Sequence, residues 1–334
     1  NLTSRGSVRF VIDNLILNEG TFFLDAAVHK KDGYPFDYHQ AALKFLARSS
    51  YPHVGVVVFP HEWQFLPEKK VARAAMINAM KQIYQFRALL WALVTRHLAI
   101  RYRGSVLGFF WSLLNPLLLM LVYSLVFKYY VRLQGVEHYS VFMFTGLLPW
   151  LWLTSSLNES TSSIVGSGHL VTKSMFPAQI LPLVPVVTNC INLLLSLPVL
   201  FVFMWFSGVA FHWTLLLLPI LILVQFLTLQ GIGVLLGSLN VFYRDIQHIL
   251  GNALTFVFFL CPILYTPETV PPQFKFSLDY NPLAQFTMGY HDLILDGAIP
   301  SLFSICFMIG FMILSLIIGY WVYGKKHETL SELL

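Results

Sequence analysis

The sequence predicts an all-α polytopic membrane protein with six transmembrane helices plus interfacial and re-entrant helices, preceded by a partial antiparallel β-sandwich. Three observations predict it. Of 334 residues only 11% are charged while 57% are hydrophobic, with a mean hydropathy of +0.68. An ordinary soluble domain carries about 25% charge, so this apolar surplus cannot be hidden in one water-soluble globule. Six later windows are apolar over nearly the ~20 residues that cross ~30 Å of hydrocarbon. Residues 1–68, by contrast, alternate apolar and polar side chains. A soluble enzyme and a disordered chain are both excluded.

The N-terminal strands come first. Ser7–Asp13, Thr21–His29 and Leu43–Ala47 each carry the period-two pattern of a half-buried strand. Asn18-Glu19-Gly20 and Lys30-Lys31-Asp32-Gly33 suit the turns, the second as a hairpin. About 65 residues are short for a sandwich, which typically needs about 100; the rest must come from elsewhere. The chain opens on Asn1 with no signal peptide and reads as a piece of a longer polypeptide. Residues 69–82 form a linker rich in Lys, Arg and Ala, and Met80 reads as the relic of an independent start where two genes were joined.

The membrane domain, residues 83–334, is counted by windows: Val106–Phe127, Val141–Leu157, Leu181–Trp205, Trp213–Leu239, Ile249–Tyr265 and Leu302–Tyr323. The fifth is short and contains Pro262, and the second turns polar around Glu159. With six spans both ends share a side. Lys69, Lys70, Arg73, Lys81, Arg87, Arg96, Arg101, Arg103, Lys173, Arg244, Lys325 and Lys326 then lie together, against Lys128, Arg132 and Lys275 opposite. Twelve against three places both ends in the cytoplasm. The net charge of +5 belongs to this asymmetry and does not imply nucleic acid. Cys190, Cys261 and Cys306 lie in apolar stretches at unrelated spacings, which fits neither a disulfide framework nor a metal site.

Four segments could carry function. Ile83–Arg103 gathers Ile83, Phe86, Leu89, Leu90, Leu93, Val94, Leu98 and Ile100 on one half-wheel, as an amphipathic helix at the membrane interface does. It reads as an anchor in the membrane lipids, or as an anchor whose polar side receives a cytoplasmic partner. The loop Gly166–Pro182 exposes Leu170, Val171, Met175, Phe176 and Ile180, and wants a cover: its own bundle or a groove on another protein. Tyr123, Tyr129, Tyr130, Tyr139, Phe142, Phe144, Trp150 and Trp152 form either an interfacial belt or a sugar-stacking lining, beside a polar run from Thr154 to Ser163 that includes Glu159. Tyr265–Pro272 and Asn281-Pro282 punctuate short re-entrant helices on the outer side.

Catalytic signals are missing. Gly319-x-x-x-x-Gly324-Lys325-Lys326 resembles a phosphate loop, but it ends in Lys and closes a membrane helix, so it is rejected. If the chain takes part in active transport, the energy must come from another subunit.

From about Met80 onward the chain resembles the permease subunit of bacterial ABC exporters for O-antigen and related polysaccharides. The resemblance rests on Arg101-Tyr102-Arg103-Gly104-Ser105-Val106-Leu107-Gly108 with Trp111 and Asn115-Pro116. It continues through His169–Pro182, Asn240-Val241-Phe242-Tyr243-Arg244-Asp245-Ile246 and Asn281-Pro282. Residues 18–39 are similar to the carbohydrate-binding domain carried by the ATPase subunit of such exporters.

The resemblance implies a permease homodimer in the bacterial inner membrane, ABC ATPase subunits that hold ATP and Mg, and a lipid-linked polysaccharide as substrate. Arg87, Arg96, His169, Leu170, Val171, Lys173, Met175 and Phe176 would then contact the ATPase. Tyr123, Phe142, Phe144, Trp150, Trp152 and Glu159 would line the channel. Pro267, Pro271, Pro272, Asn281 and Pro282 would form the outer gate, with Arg101, Arg103, Arg244 and Asp245 as structural motif residues. Three alternatives stay open: a teichoic-acid or capsule exporter, a drug or lipid efflux permease, and a membrane glycosyltransferase. The last is disfavoured because Glu137, Glu159 and Asp245 are the only acids between Lys69 and Glu268.

Overall fold

A computed structural model describes residues 6–12, 20–29, 35–47, 61–67, 84–105, 107–130, 138–168 and 178–333. The chain divides into two units, Asn1–Lys70 and Val71–Leu334.

In the first unit the alternating runs form strands β1 (Gly6–Ile12), β2 (Gly20–His29), β3 (Pro35–Ala47) and β4 (His61–Pro67). β2 and β3 pair antiparallel, Thr21 opposite Leu46 and Val28 opposite Asp37, and the turn read at Lys30–Gly33 lies outside the described residues. β1 pairs antiparallel with β4, Phe10 opposite Trp63. β3 starts eight residues before the Leu43–Ala47 run because its ladder with β2 continues through His39, Tyr38 and Asp37.

The second unit is helical: α1 (Arg87–Tyr102), α2 (Trp111–Leu125), α3 (Tyr139–Gly166), α4 (Leu183–Ser207), α5 (Leu218–Phe242), α6 (Ile246–Leu260), α7 (Pro282–His291) and α8 (Leu302–Leu333). Among the described residues, four helical segments are long and apolar enough to cross a membrane: Tyr139–Gly166, Ala178–Ser207, Trp213–Phe242 and Leu302–Lys325. They expose Trp205, Phe206, Leu216, Ile220, Leu302, Leu314 and Ile317, an apolar surface that belongs in lipid. The protein is an integral membrane protein.

The other two of the six windows are shorter helices. α6 has 15 residues, about 22 Å at 1.5 Å per residue. The fifth window is therefore corrected: the helix stops at Leu260, not Tyr265. Pro262 has no N–H to continue the ladder, and Cys261 is already extended. α2 also has 15 residues, after a 3₁₀ turn at Gly108–Phe110. The second window continues as read into its polar stretch, with α3 unbroken to Gly166. The hydroxyls of Thr154, Thr161, Ser162 and Ser163 turn back onto their own helix, as in Thr161 Oγ1 to the Leu157 carbonyl (2.7 Å), while Ser160 donates to the Pro182 carbonyl. The amphipathic helix is described over Arg87–Tyr102, and Ile83 lies outside the described residues.

Small residues set the closest helix crossings. A Cβ on Gly319 of α8 would lie 2.2 Å from the Gly231 carbonyl oxygen of α5, and one on Gly237 would lie 2.9 Å from the Ser160 carbonyl of α3. Backbones this near leave no space for a side chain, the usual device of helices packed in lipid. Hydrogen bonds reinforce the contact, with Gln230 Nε2 donating to the Tyr320 hydroxyl at 2.6 Å. Around these crossings Met143, Phe144, Leu147, Leu200, Met204, Leu229 and Ile263 fill one continuous core.

Candidate transport cavities and their polar junction

α1 ends at the bundle with a basic last turn, where Arg101 also complements the negative end of the helix. Arg101 Nη1 donates to Asn189 Oδ1 of α4 at 2.8 Å, and Nη2 donates to Glu159 Oε1 of α3. Asn189 Nδ2 reaches Glu159 Oε2 at 3.4 Å, Asn192 Nδ2 reaches Asn189 Oδ1 at 3.4 Å, and His97 Nε2 lies 3.7 Å from Glu159 Oε2. The Arg101 and Glu159 side chains keep 28% and 30% of their surface exposed, so the pair is partly solvated. Burial, with the Arg101 charge beside it, holds the His97 imidazole below its ordinary pKa. Among the described residues its buried Nδ1 has no hydrogen-bond partner.

Two cavities meet at this junction. The larger, about 670 Å³, is walled by Arg101, Glu159, Asn189, Asn192, Asn115 and Ser155, with Trp111 and Trp152 beside them. Its size matches that of small-ligand sites, and it combines amide, hydroxyl and charged groups with aromatic rings. The smaller, about 360 Å³, is walled by Arg96, His97, Glu159, Ser162, Ser163 and Gly166.

A third cavity of about 540 Å³ lies by the loop before α7 and includes His138, Phe142, Pro267, Glu268, His291 and Asp292. His291 is buried and stacks on Phe142, with centroids 4.2 Å apart, while its Nε2–H donates to the Phe142 carbonyl at 3.0 Å. Desolvation lowers its pKa to about 4, against a raising effect of that hydrogen bond. Asp292 is raised to about 6 by burial and then by Asp296. Asp296 is raised by burial and by Glu268, with His212 opposing.

The residues singled out in the sequence fall in different places. His169, Leu170, Val171, Lys173, Met175 and Phe176 lie outside the described residues. Arg87 is exposed and sits over the Tyr84 ring at 4.6 Å, and Arg96 is exposed on the smaller cavity. Trp152 and Glu159 line the large cavity, and Trp152 Nε1 donates to the Val186 carbonyl at 3.1 Å. Phe142 lines the third cavity. Phe144 packs on Phe203, while Tyr123 and Trp150 flank Phe258, all within the core. Pro267 and Pro272 open single 3₁₀ turns, the second immediately after Pro271. Asn281 caps α7 by accepting from Leu283 N at 3.0 Å, with Pro282 at the first helical position. Arg103 is exposed past α1, and Arg244 and Asp245 are exposed between α5 and α6.

Sequence reasoning missed Asn189, Asn192 and His97. The signal was two amides three apart inside an apolar span, which are costly there unless they face a cavity or a partner.

Among the described residues, four apolar helices of spanning length and two shorter ones surround the cavities, the arrangement of an integral membrane protein. Residues 88–295 match the family described as ABC-2 type transporter. The chain is 37% identical over 259 residues to the O-antigen export system permease protein RfbA of Myxococcus xanthus, covering 77% of this chain and 99% of that protein. It is 31% identical over 249 residues to the RfbA permease of Klebsiella pneumoniae, covering 74% and 95%. The polysialic acid transport protein KpsM of Escherichia coli is 24% identical over 248 residues, 72% and 93%. The chain belongs to the ABC-2 type transporter family and, at these identities, to its O-antigen export permeases.

Proposed function

We propose that the chain is the membrane-spanning permease subunit of an ATP-driven exporter that moves a lipid-linked, O-antigen-type polysaccharide across the bacterial inner membrane. The observation that carries this reading is the large polar cavity of Arg101, Glu159, Asn189 and Asn192 inside an apolar bundle, in a chain similar to named O-antigen export permeases. Sugar hydroxyls need paired donors and acceptors, which these amides and charges supply, and pyranose faces suit the neighbouring Trp111, which is 39% exposed. Two copies form the working permease, with both ends of residues 83–334 in the cytoplasm. ATP and Mg bind a partner ABC ATPase, which docks on α1 and on His169–Phe176 and does the hydrolysis. Pro267–Pro282 gate the outer mouth. Residues 1–68 contribute a partial carbohydrate-binding sandwich.

The similarity to a polysialic acid transport protein favours a second reading, a capsule exporter. Complementation separates the two. The gene is expressed with its partner ATPase in strains lacking either an O-antigen or a capsule permease, and surface glycan is measured. Restored O-antigen is expected. Restored capsule alone selects the second reading, and extrusion of small amphiphiles without glycan defeats both.

A further inference from the structure

Among the described residues, Glu159 alone lines both the 670 Å³ and the 360 Å³ cavities. Arg101 and Asn189 close over its carboxylate on the larger side, and His97 faces it from the smaller. The wall between the cavities is therefore a set of side-chain hydrogen bonds and one ion pair. Three of the groups at this wall, Arg96, His97 and Arg101, belong to α1. α1 is joined to α2 through Gly104 (φ +79°) and Gly108 (φ +49°), both with open space where a Cβ would stand. Such backbone favours glycine and provides a pivot for the helix. An ion pair this open to water is weak enough to break and remake within a transport cycle.

We propose that the Arg101–Glu159–Asn189 network is a latch that closes the passage between the two cavities and opens when α1 turns about the Gly104–Gly108 connection. The latch deepens the transport reading and rests on it: substrate entering from the α1 side would meet the smaller cavity first.

The test places one cysteine on the wall of the larger cavity, Ser155→Cys, in the full chain with Cys190, Cys261 and Cys306 replaced. A membrane-impermeant thiol reagent is added from the α1 side. Labelling is slow in this parent. In Arg101→Ala and in Glu159→Gln it rises about tenfold, equivalent to about 1.4 kcal/mol of lost closure, and the double swap Arg101→Glu with Glu159→Arg returns it to within about threefold of the parent. Equal labelling in parent and single variants, or a swap that stays fast, overturns the latch. The isosteric Glu159→Gln carries the test if Arg101→Ala does not fold. Labelling needs no glycan, so the two readings fail separately. Labelling that is slow in the parent and fast in the single variants, without glycan export by any form of the protein, sinks the transport reading and keeps the latch. Glycan export with unmoved labelling sinks the latch alone.

Discussion

The ring of His291 lies against the ring of Phe142, 4.2 Å between centroids, and donates its Nε2 proton to the Phe142 carbonyl. This ties α7 to the start of α3, and burial, against the effect of that bond, favours the neutral imidazole. The next residue, Asp292, is also favoured in its neutral form. The two groups oppose each other in acid. His291, depressed to about 4, costs stability as pH falls from about 6.5 toward 4, because the unfolded chain then binds more protons. Asp292, raised to about 6, adds stability as pH falls from about 6 toward 3.8, because the folded chain then binds more. Thermal melting of the purified protein should vary little over this window. Asp292→Asn should leave a melting temperature that drops on acidification, and His291→Gln one that rises. Parallel slopes in both variants would remove the opposition.

Gly319 and Gly231 bring α8 and α5 into backbone contact, so Gly319→Leu should destabilise the bundle by about 1–3 kcal/mol, the usual cost of overpacking. Gly310→Ala on the same helix meets nothing within 4 Å and should change the melting temperature little. Similar losses at both positions would mean that helix propensity, not crossing distance, governs α8.

The aromatic residues should separate by location. Trp150 packs on Phe258 in the core, so Trp150→Ala should cost about 3–5 kcal/mol and lower assembly and glycan flux together. Trp152→Phe keeps a ring at the cavity and loses one hydrogen bond to Val186, about 1 kcal/mol. It should lower flux more than assembly. Quantifying membrane-extracted complex and surface glycan in the same cells checks both.

Phe176 lies outside the described residues, and the prediction for it rests on the exposed apolar pattern of its loop. Phe176→Asp should abolish export and co-purification of the ATPase while leaving membrane insertion normal. Normal glycan export by this variant would count against docking at the loop.

The helices were legible in the sequence because each apolar run is local. The ends were less so. The polar run Thr154–Ser163 stays helical to the end of α3, with Thr154, Thr161, Ser162 and Ser163 bonding back onto that helix and Ser160 onto the Pro182 carbonyl, and Pro262 stops α6 five residues early. The polar junction could not be read because it joins positions 58 and 88 apart in the chain. Glu159 stood out as an intramembrane acid, but its partners depend on how α1 crosses α3 and α4. The glycine contacts are invisible for the same reason: spacing along one helix does not reveal which backbone lies opposite.

The central claim, polysaccharide export driven by a partner ATPase, is tested most directly in proteoliposomes. The chain is reconstituted with its ATPase, loaded with lipid-linked O-antigen-type glycan, and the glycan reaching the opposite face is measured with and without ATP. Glycan should cross only with hydrolysable ATP and only when both subunits are present. Transfer that is independent of ATP, or ATP-driven movement of small amphiphiles while the glycan stays behind, would contradict the account.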